Sequence, residues 1–137
     1  MFSYTRKVQY HETDKMGITH HSNYIKWMEE ARISCLEQLG IPFEQLEEIG
    51  VASPVVGLNI EYKHPSTFGD VISIEISLEK YNGVKMEIGY QMKNGKTTEP
   101  IAIASSTHCF ILNNRICSLK KAAPKFHEIL DKQVKTE

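Results

Sequence analysis

A run near the start of the chain, residues 10–24, is rich in side chains that could do acid–base chemistry. Three imidazoles and two carboxylates lie within it. Asp14 could serve as a general base or as a nucleophile toward an acyl carbon. His21 could orient that carboxylate or donate a proton to a leaving group, and Tyr10 could hydrogen-bond to either. A hydrolase of acyl compounds could use these residue types.

A strand pattern gives way to a helix pattern at this run. Residues 4–12 alternate loosely and predict a first strand, while apolar residues at three- and four-residue steps predict a helix of about 18 residues that ends at Gly40. Ser22 or Asn23 could cap this helix. Because the first amides of a helix are unpaired and carry positive partial charge, they could polarise a carbonyl. We therefore expect Asp14, in the loop, and His21, at the helix start, to face one cleft.

The segment Asp-Lys-Met-Gly at residues 14–17 also fits a simple turn. An aspartate at the first position can bond to the local backbone, and Gly17 can adopt a positive φ. The spacing alone leaves both interpretations of Asp14 open.

The pattern Tyr-x-Glu-Thr-Asp-x-Met-Gly-x-x-x-His-x-Asn-Tyr, followed by Trp-x-Glu-x-Ala-Arg, resembles the hotdog-fold acyl-CoA thioesterases. It is most similar to the 4-hydroxybenzoyl-CoA thioesterase/YbgC-like group, and the match is specific over residues 8–32. The resemblance implies that Asp14 is catalytic, assisted by Tyr10 and His21. It also implies contacts with the substrate, for which the candidates are Gly17, Asn23, Tyr24, Lys63 and Lys85, the two lysines being candidates for the nucleotide end of coenzyme A.

The activity that this resemblance implies is hydrolysis of a small or medium acyl-CoA thioester to the free acid and coenzyme A. The alternative is a hotdog module that binds an acyl thioester without cleaving it. Coenzyme A is part of the substrate, so no cofactor is expected. Hotdog domains pair sheet edge to sheet edge, which implies a homodimer or homotetramer with active sites at the interface. His20 departs from the aromatic or aliphatic residue of many relatives.

Composition sets broader limits. The chain has 137 residues, of which 41% are hydrophobic and 24% charged, as in one ordinary globular domain spanning residues 1–137. A net charge of −1 does not favour nucleic-acid binding. Since neither an apolar run of about 20 residues nor a signal peptide is present, we expect no membrane association and a cytoplasmic location. Cys35, Cys109 and Cys117 are expected to be buried small apolar residues.

After the long helix, a short helix is predicted at 43–49, and the pattern then changes to the period of two that is typical of strands. The predicted strands are residues 55–62, 71–78, 84–92, 101–112 and, as a short edge, 115–118. Asn82-Gly83 predicts a tight hairpin, and Pro124 opens a closing helix. This order indicates an α+β fold. The resemblance adds the hotdog arrangement, an antiparallel β-sheet of about five strands wrapped around one long central helix.

Three further sets of residues could be functional, but each has an alternative interpretation. His11, His20 and His21 lack the helical carboxylate spacing of a metal motif, so no metal site is expected. Glu29 could be a catalytic carboxylate on the helix, or it could form an ion pair with Arg32 three residues on. His108 lies on a predicted strand, where a buried, hydrogen-bonded histidine is the favoured interpretation.

Overall fold

A five-stranded antiparallel sheet is the largest element of the computed structural model, which describes residues 1–137. Its strands are β1 (Phe2–Lys7), β2 (Val55–Tyr62), β3 (Val71–Tyr81), β4 (Lys85–Asn94) and β5 (Pro100–Cys109). The spatial order is β1-β3-β4-β5-β2, so β1 and β2 form the two edges. Buried and more exposed residues alternate along β3 and β4, which places one face of the sheet in the core.

The hairpin predicted at Asn82-Gly83 joins β3 to β4, which pair antiparallel. The Asn82 side-chain oxygen accepts hydrogen bonds from the amides of Val84 at 3.0 Å and Lys85 at 2.8 Å. Gly83 has a φ of 90°, a conformation that glycine adopts without a steric penalty.

The long helix α1 (Asn23–Leu39) packs its apolar face into the core. The residues buried on that face include Tyr24, Trp27, Met28, Ala31 and Cys35. Gly40 ends the helix with a φ of 94° and donates to the carbonyls of Leu36 and Glu37, as predicted. A five-stranded antiparallel sheet with one long helix against it confirms the α+β prediction and the hotdog arrangement.

Two strand boundaries differ from the prediction. The first strand ends at Lys7 instead of residue 12, and Tyr10–Glu12 forms a 3-10 turn. The reason is that the Glu12 carboxylate turns inward and accepts a hydrogen bond from the Gln9 amide at 2.8 Å. The predicted strand at 101–112 is interrupted at Phe110, which is buried.

The C-terminal part of the chain covers one end of the sheet. After Phe110 come β6 (Ile111–Leu112) and β7 (Arg115–Ile116), which pair across Asn113 and Asn114. These two asparagines have φ values of 53° and 63°, within the region that asparagine tolerates. The remaining helices are α2 (Phe43–Glu48), α3 (Leu119–Ala122) and α4 (Pro124–Thr136).

Two expectations from composition can be compared with the structure. Cys35 and Cys109 are buried as predicted, whereas Cys117 is only half-buried. Burial raises the pKa of the Cys35 thiol to about 12, as expected for an unreactive core cysteine. None of the helices combines the length and the apolar character that crossing a membrane would require.

Candidate active site

The loop that carries Asp14 folds back on itself as a short hairpin. The His20 amide donates to the Glu12 carbonyl at 2.8 Å, and the Asp14 amide donates to the Ile18 carbonyl at 2.9 Å. Gly17, with a φ of 79°, closes the tip and donates its amide to the Asp14 carbonyl. The hairpin therefore holds Asp14 next to the tip and returns the chain to the start of α1.

The Asp14 carboxylate is half-buried and makes one hydrogen bond within the chain. Its Oδ1 accepts from the Met16 amide at 2.8 Å, which is the local turn contact that the sequence indicated. The second oxygen, Oδ2, has no hydrogen-bond partner in the chain. Because a carboxyl group has two oxygens, the turn contact leaves one of them free to act on a substrate or a water molecule.

Tyr10 and His21 lie beside this loop, but neither is hydrogen-bonded to Asp14. Tyr10 is 73% exposed and packs edge-on against Phe68, with 5.6 Å between ring centroids. The exposed His21 ring stacks on His20 at 4.4 Å and meets the edge of Tyr62 at 6.4 Å. The three predicted catalytic side chains therefore do not form a hydrogen-bonded triad within one chain, and their roles stay predictions.

The start of α1 differs from the predicted cap. Neither Ser22 nor Asn23 bonds a helix amide through its side chain. Instead, the amide of Ser22 donates to Nδ1 of His20, and the amides of Asn23 and Tyr24 donate to the carbonyls of His20 and His21. Among residues 20–24, the amide of His21 alone makes no hydrogen bond within the chain. The His21 amide, aided by the positive end of the helix dipole, thus remains available as a donor at the helix start.

Two of the predicted substrate contacts are engaged in structural bonds. The buried Asn23 side chain donates to the carbonyls of Glu12 at 2.9 Å and His20 at 3.2 Å, which ties the loop to the helix. The Tyr24 hydroxyl is 2.9 Å from the Ser66 hydroxyl, which in turn is 2.6 Å from the Thr19 hydroxyl. Gly17 lies at the exposed tip of the loop.

Lys63 and Lys85 do not converge on one cleft. The Lys63 amide bonds the Ile101 carbonyl, whereas Lys85 pairs with Cys109, eight residues further along β5. At the rise of an extended strand, this separates the two lysines by roughly 25 Å. Only Lys63 lies near the loop, in a cavity of about 240 Å³ that also contains His21, Tyr62 and His64.

A buried ionic cluster that sequence reasoning missed holds the loop against the sheet and α1. Glu12 Oε1 accepts from Arg6 at 2.6 Å, and its Oε2 accepts from the Trp27 indole at 2.9 Å. The Arg6 guanidinium lies over the Trp27 ring, 4.8 Å from its centroid, and also binds Glu30 at 2.8 Å. The sequence feature that could have revealed the role of Glu12 is its three-residue spacing from Gln9, the spacing of a capping box at the start of a helix.

The possible ion pair between Glu29 and Arg32 is not formed. Arg32 instead donates to the Tyr90 hydroxyl at 3.1 Å. His108 is fully buried and hydrogen-bonded, as favoured from the sequence.

Comparison with known proteins gives consistent matches over nearly the whole chain. A family described as the thioesterase-like superfamily matches residues 8–133. A Bacillus subtilis protein that carries the name acyl-CoA thioesterase YneP is 37% identical over 130 residues, 94% of each chain. A 1,4-dihydroxy-2-naphthoyl-CoA hydrolase of Prochlorococcus marinus is 29% identical over 126 residues, 85% of this chain and 80% of that one. The structure of a DHNA-CoA thioesterase from Staphylococcus aureus matches with a TM-score of 0.91 at 30% identity, covering 95% of this chain and 88% of that one.

Proposed function

This chain belongs to the thioesterase-like superfamily and is an acyl-CoA thioester hydrolase, and we propose that Asp14 carries its reaction. The products are the free acid and coenzyme A, which is the leaving part of the substrate and not a resident cofactor. The observation that carries the proposal is the half-buried Asp14 carboxylate, which has one free oxygen and lies on the hairpin that leads to the free amide of His21.

In the proposed reaction, the thioester carbonyl oxygen accepts a hydrogen bond from the His21 amide, which stabilises the charge that develops on that oxygen. Asp14 then takes a proton from water while the water oxygen attacks the carbonyl carbon. Collapse of the tetrahedral intermediate breaks the carbon–sulfur bond, and the thiolate of coenzyme A leaves with the proton that Asp14 took from water, which restores the Asp14 carboxylate. In the alternative route, Asp14 attacks the carbonyl carbon directly and displaces the thiolate. This forms a mixed anhydride, which water then cleaves.

The substitution Asp14→Asn tests this proposal sharply. Asparagine keeps a side-chain oxygen that can accept from the Met16 amide, so the turn is preserved while the base is removed. We expect kcat for short acyl-CoA thioesters to fall by about 100-fold or more, with an unchanged melting temperature. Asp131→Asn is the matched control because Asp131 lies on α4 and binds only Lys135. If Asp14→Asn matched the wild type in kcat, Asp14 would be a turn residue only.

The second candidate is a module that binds an acyl thioester without cleaving it. The observation that supports this alternative is that Tyr10 and His21 make no hydrogen bond to Asp14 within one chain. A thiol-release assay on a panel of acyl-CoA thioesters distinguishes the two functions. Binding of these thioesters without any thiol release would establish the binding module.

We also propose that two copies pair along the edge strand β2, in a homodimer or a dimer-based tetramer. Along this edge, Val56 is 56%, Leu58 44% and Tyr62 47% exposed, an unusual concentration of apolar surface on an open strand. Val56→Lys should shift the size-exclusion profile toward the monomer and lower activity together with it. Ile116→Lys, at an apolar site on β7 that is 68% exposed, should change neither. Full activity in a proven monomer would contradict a site shared between copies.

The phosphates of coenzyme A are proposed to lie near Lys63 and not near Lys85. Lys63 and His64 line the cavity beside the loop, where their side chains can donate to an anionic group, and the Lys63 ammonium also binds Glu61 at 2.9 Å. We expect the protein to act in the cytoplasm, where acyl-CoA substrates occur.

A further inference from the structure

A second cavity, of about 440 Å³, lies beside the middle of α1, away from the Asp14 loop. It is enclosed by α1, α2 and the segment that leads into β2. Its size falls within the range of small-molecule sites. The apolar part of the lining includes Ile33, Leu36, Phe43, Leu46, Val51 and Met86. Arg32 is the one cationic side chain in this lining. The lining also contains two carboxylates, those of Glu29 and Glu47.

Arg32 is anchored by a buried chain of hydrogen bonds that the proposed reaction does not use. Its guanidinium lies 3.1 Å from the Tyr90 hydroxyl, which lies 2.6 Å from the Ser106 hydroxyl. Ser106 is 2.8 Å from Nε2 of His108, and Nδ1 of His108 is 3.2 Å from the carbonyl of Ser53. Tyr90, Ser106 and His108 are each at most 1% exposed.

The direction of every bond in this chain follows from its two ends and from a neutral His108. A guanidinium can only donate, and a carbonyl can only accept. Arg32 therefore donates to Tyr90, Tyr90 to Ser106, Ser106 to His108, and His108 through Nδ1–H to Ser53. His108 must be neutral for its Nε2 to accept, and its burial and the nearby Arg32 charge lower its pKa to about 4. At neutral pH the chain therefore has a single arrangement.

This arrangement leaves most of the Arg32 donors unused. Only Nη1 has a partner in the chain, the Tyr90 hydroxyl, and the side chain lines the cavity. A fixed guanidinium in a largely apolar wall is a strong donor for a ligand oxygen.

We propose that Arg32 determines which acyl groups this protein accepts, by binding an oxygen substituent near the distal end of the acyl group. This inference rests on the proposed thioesterase function. Arg32 follows His21, whose amide is the proposed site of the carbonyl oxygen, by eleven residues, which is about 16 Å along the helix. An extended acyl group of ten carbons covers about 11 Å at about 1.2 Å per bond, and the Arg32 side chain, which leans toward the helix N-terminus, covers the rest.

The charges around the cavity favour a hydroxyl or keto oxygen over a carboxylate. Glu29 and Glu47 line the same cavity as Arg32, so the wall carries one positive and two negative charges. A terminal hydroxyl can accept from Arg32 and donate to Glu29, whereas a terminal carboxylate would be repelled by both glutamates.

The test compares kcat/KM for three thioesters of equal length: decanoyl-CoA, 10-hydroxydecanoyl-CoA and 9-carboxynonanoyl-CoA. A hydrogen bond to a charged donor predicts that the wild type prefers the hydroxylated thioester over decanoyl-CoA by about 10- to 100-fold. Arg32→Met should abolish this preference while it retains hydrolysis of decanoyl-CoA. Lys26→Met removes an exposed cation from the same helix and should leave the preference unchanged.

Tyr90→Phe tests the anchoring role separately. It removes the acceptor for Arg32 but no group of the cavity wall, so the preference should shrink by about 3- to 10-fold with kcat/KM for decanoyl-CoA unchanged. If Arg32→Met does not fold, Tyr90→Phe alone tests whether Arg32 causes the hydroxyl preference. Hydrolysis without a hydroxyl preference, or a preference that survives in Tyr90→Phe and Arg32→Met, would overturn this inference alone. A wild type that cleaves none of the three thioesters would instead count against the proposed function.

Discussion

Glu12→Gln should destabilise the fold strongly, although it only replaces one carboxylate oxygen with an amino group. The Glu12 carboxylate accepts from Arg6, from the Gln9 amide and from the Trp27 indole, and the side chains of Glu12 and Arg6 are 5% and 13% exposed. Glutamine has only one acceptor oxygen, so at least one buried donor faces an N–H group, which costs about 1–3 kcal/mol. Breaking a buried ion pair costs about 3–5 kcal/mol, but Arg6 keeps Glu30 as a partner. The expected loss is therefore about 3 kcal/mol.

Urea denaturation followed by tryptophan fluorescence measures this loss at the site itself, because Trp27 is the single tryptophan of the chain. With an m-value of about 2 kcal/mol per molar urea, a loss of 3 kcal/mol lowers the midpoint by about 1.5 M. Protein concentration must be equal in both samples, since self-association would add stability. Glu128→Gln, at an exposed position on α4, should stay within about 0.5 kcal/mol of the wild type. A similarly small effect of Glu12→Gln would refute the view that this cluster holds the loop.

Two further substitutions test the other buried polar groups. The pKa of His108 is lowered from 6.5 to about 4, so the unfolded chain binds a proton before the folded one does, and stability should fall by up to about 3 kcal/mol as the pH drops from 6.5 to 4. His108→Gln should flatten this dependence in urea titrations at pH 7, 5 and 4, whereas the exposed control His11→Gln should not; equal slopes would contradict the assignment. Ser66→Ala should cost about 2 kcal/mol because it removes the shared partner of the buried Thr19 and Tyr24 hydroxyls. The control Ser3→Ala, at an exposed site on β1, should leave thermal unfolding unchanged, and a Ser66 variant that did the same would contradict the shared-partner role.

Elements that depend on local signals were predictable from the sequence. The apolar spacing of α1, its end at Gly40 and the Asn82-Gly83 hairpin all follow from contacts within a few residues. The turn contact of Asp14 belongs to the same class, since its partner, Met16, is two residues away.

What the sequence did not predict depends on partners that are distant along the chain. Alternation continues through residue 12 and predicts a first strand that is too long, because the Trp27 indole, which helps to hold Glu12 inward, is 15 residues away on α1. Helical spacing offers Glu29 as a possible partner for Arg32, but the partner that Arg32 binds, Tyr90, is 58 residues away. Sheet order, which separates Lys63 from Lys85, is likewise not encoded in local spacing.

The two buried polar clusters fix the position of α1 on the sheet, which apolar packing alone does not do. An apolar helix face packed on a sheet can slide or rotate at small cost, because apolar contacts are not directional. Hydrogen bonds are directional, and a buried donor that loses its partner is costly. The Glu12 cluster fixes the first turns of α1 to β1 and the Asp14 loop, and the Arg32 chain fixes the middle of α1 to β4 and β5. With two such points on one helix, the distance from the His21 amide to the Arg32 guanidinium is set by the helix itself, which is the condition that a site measuring acyl length requires.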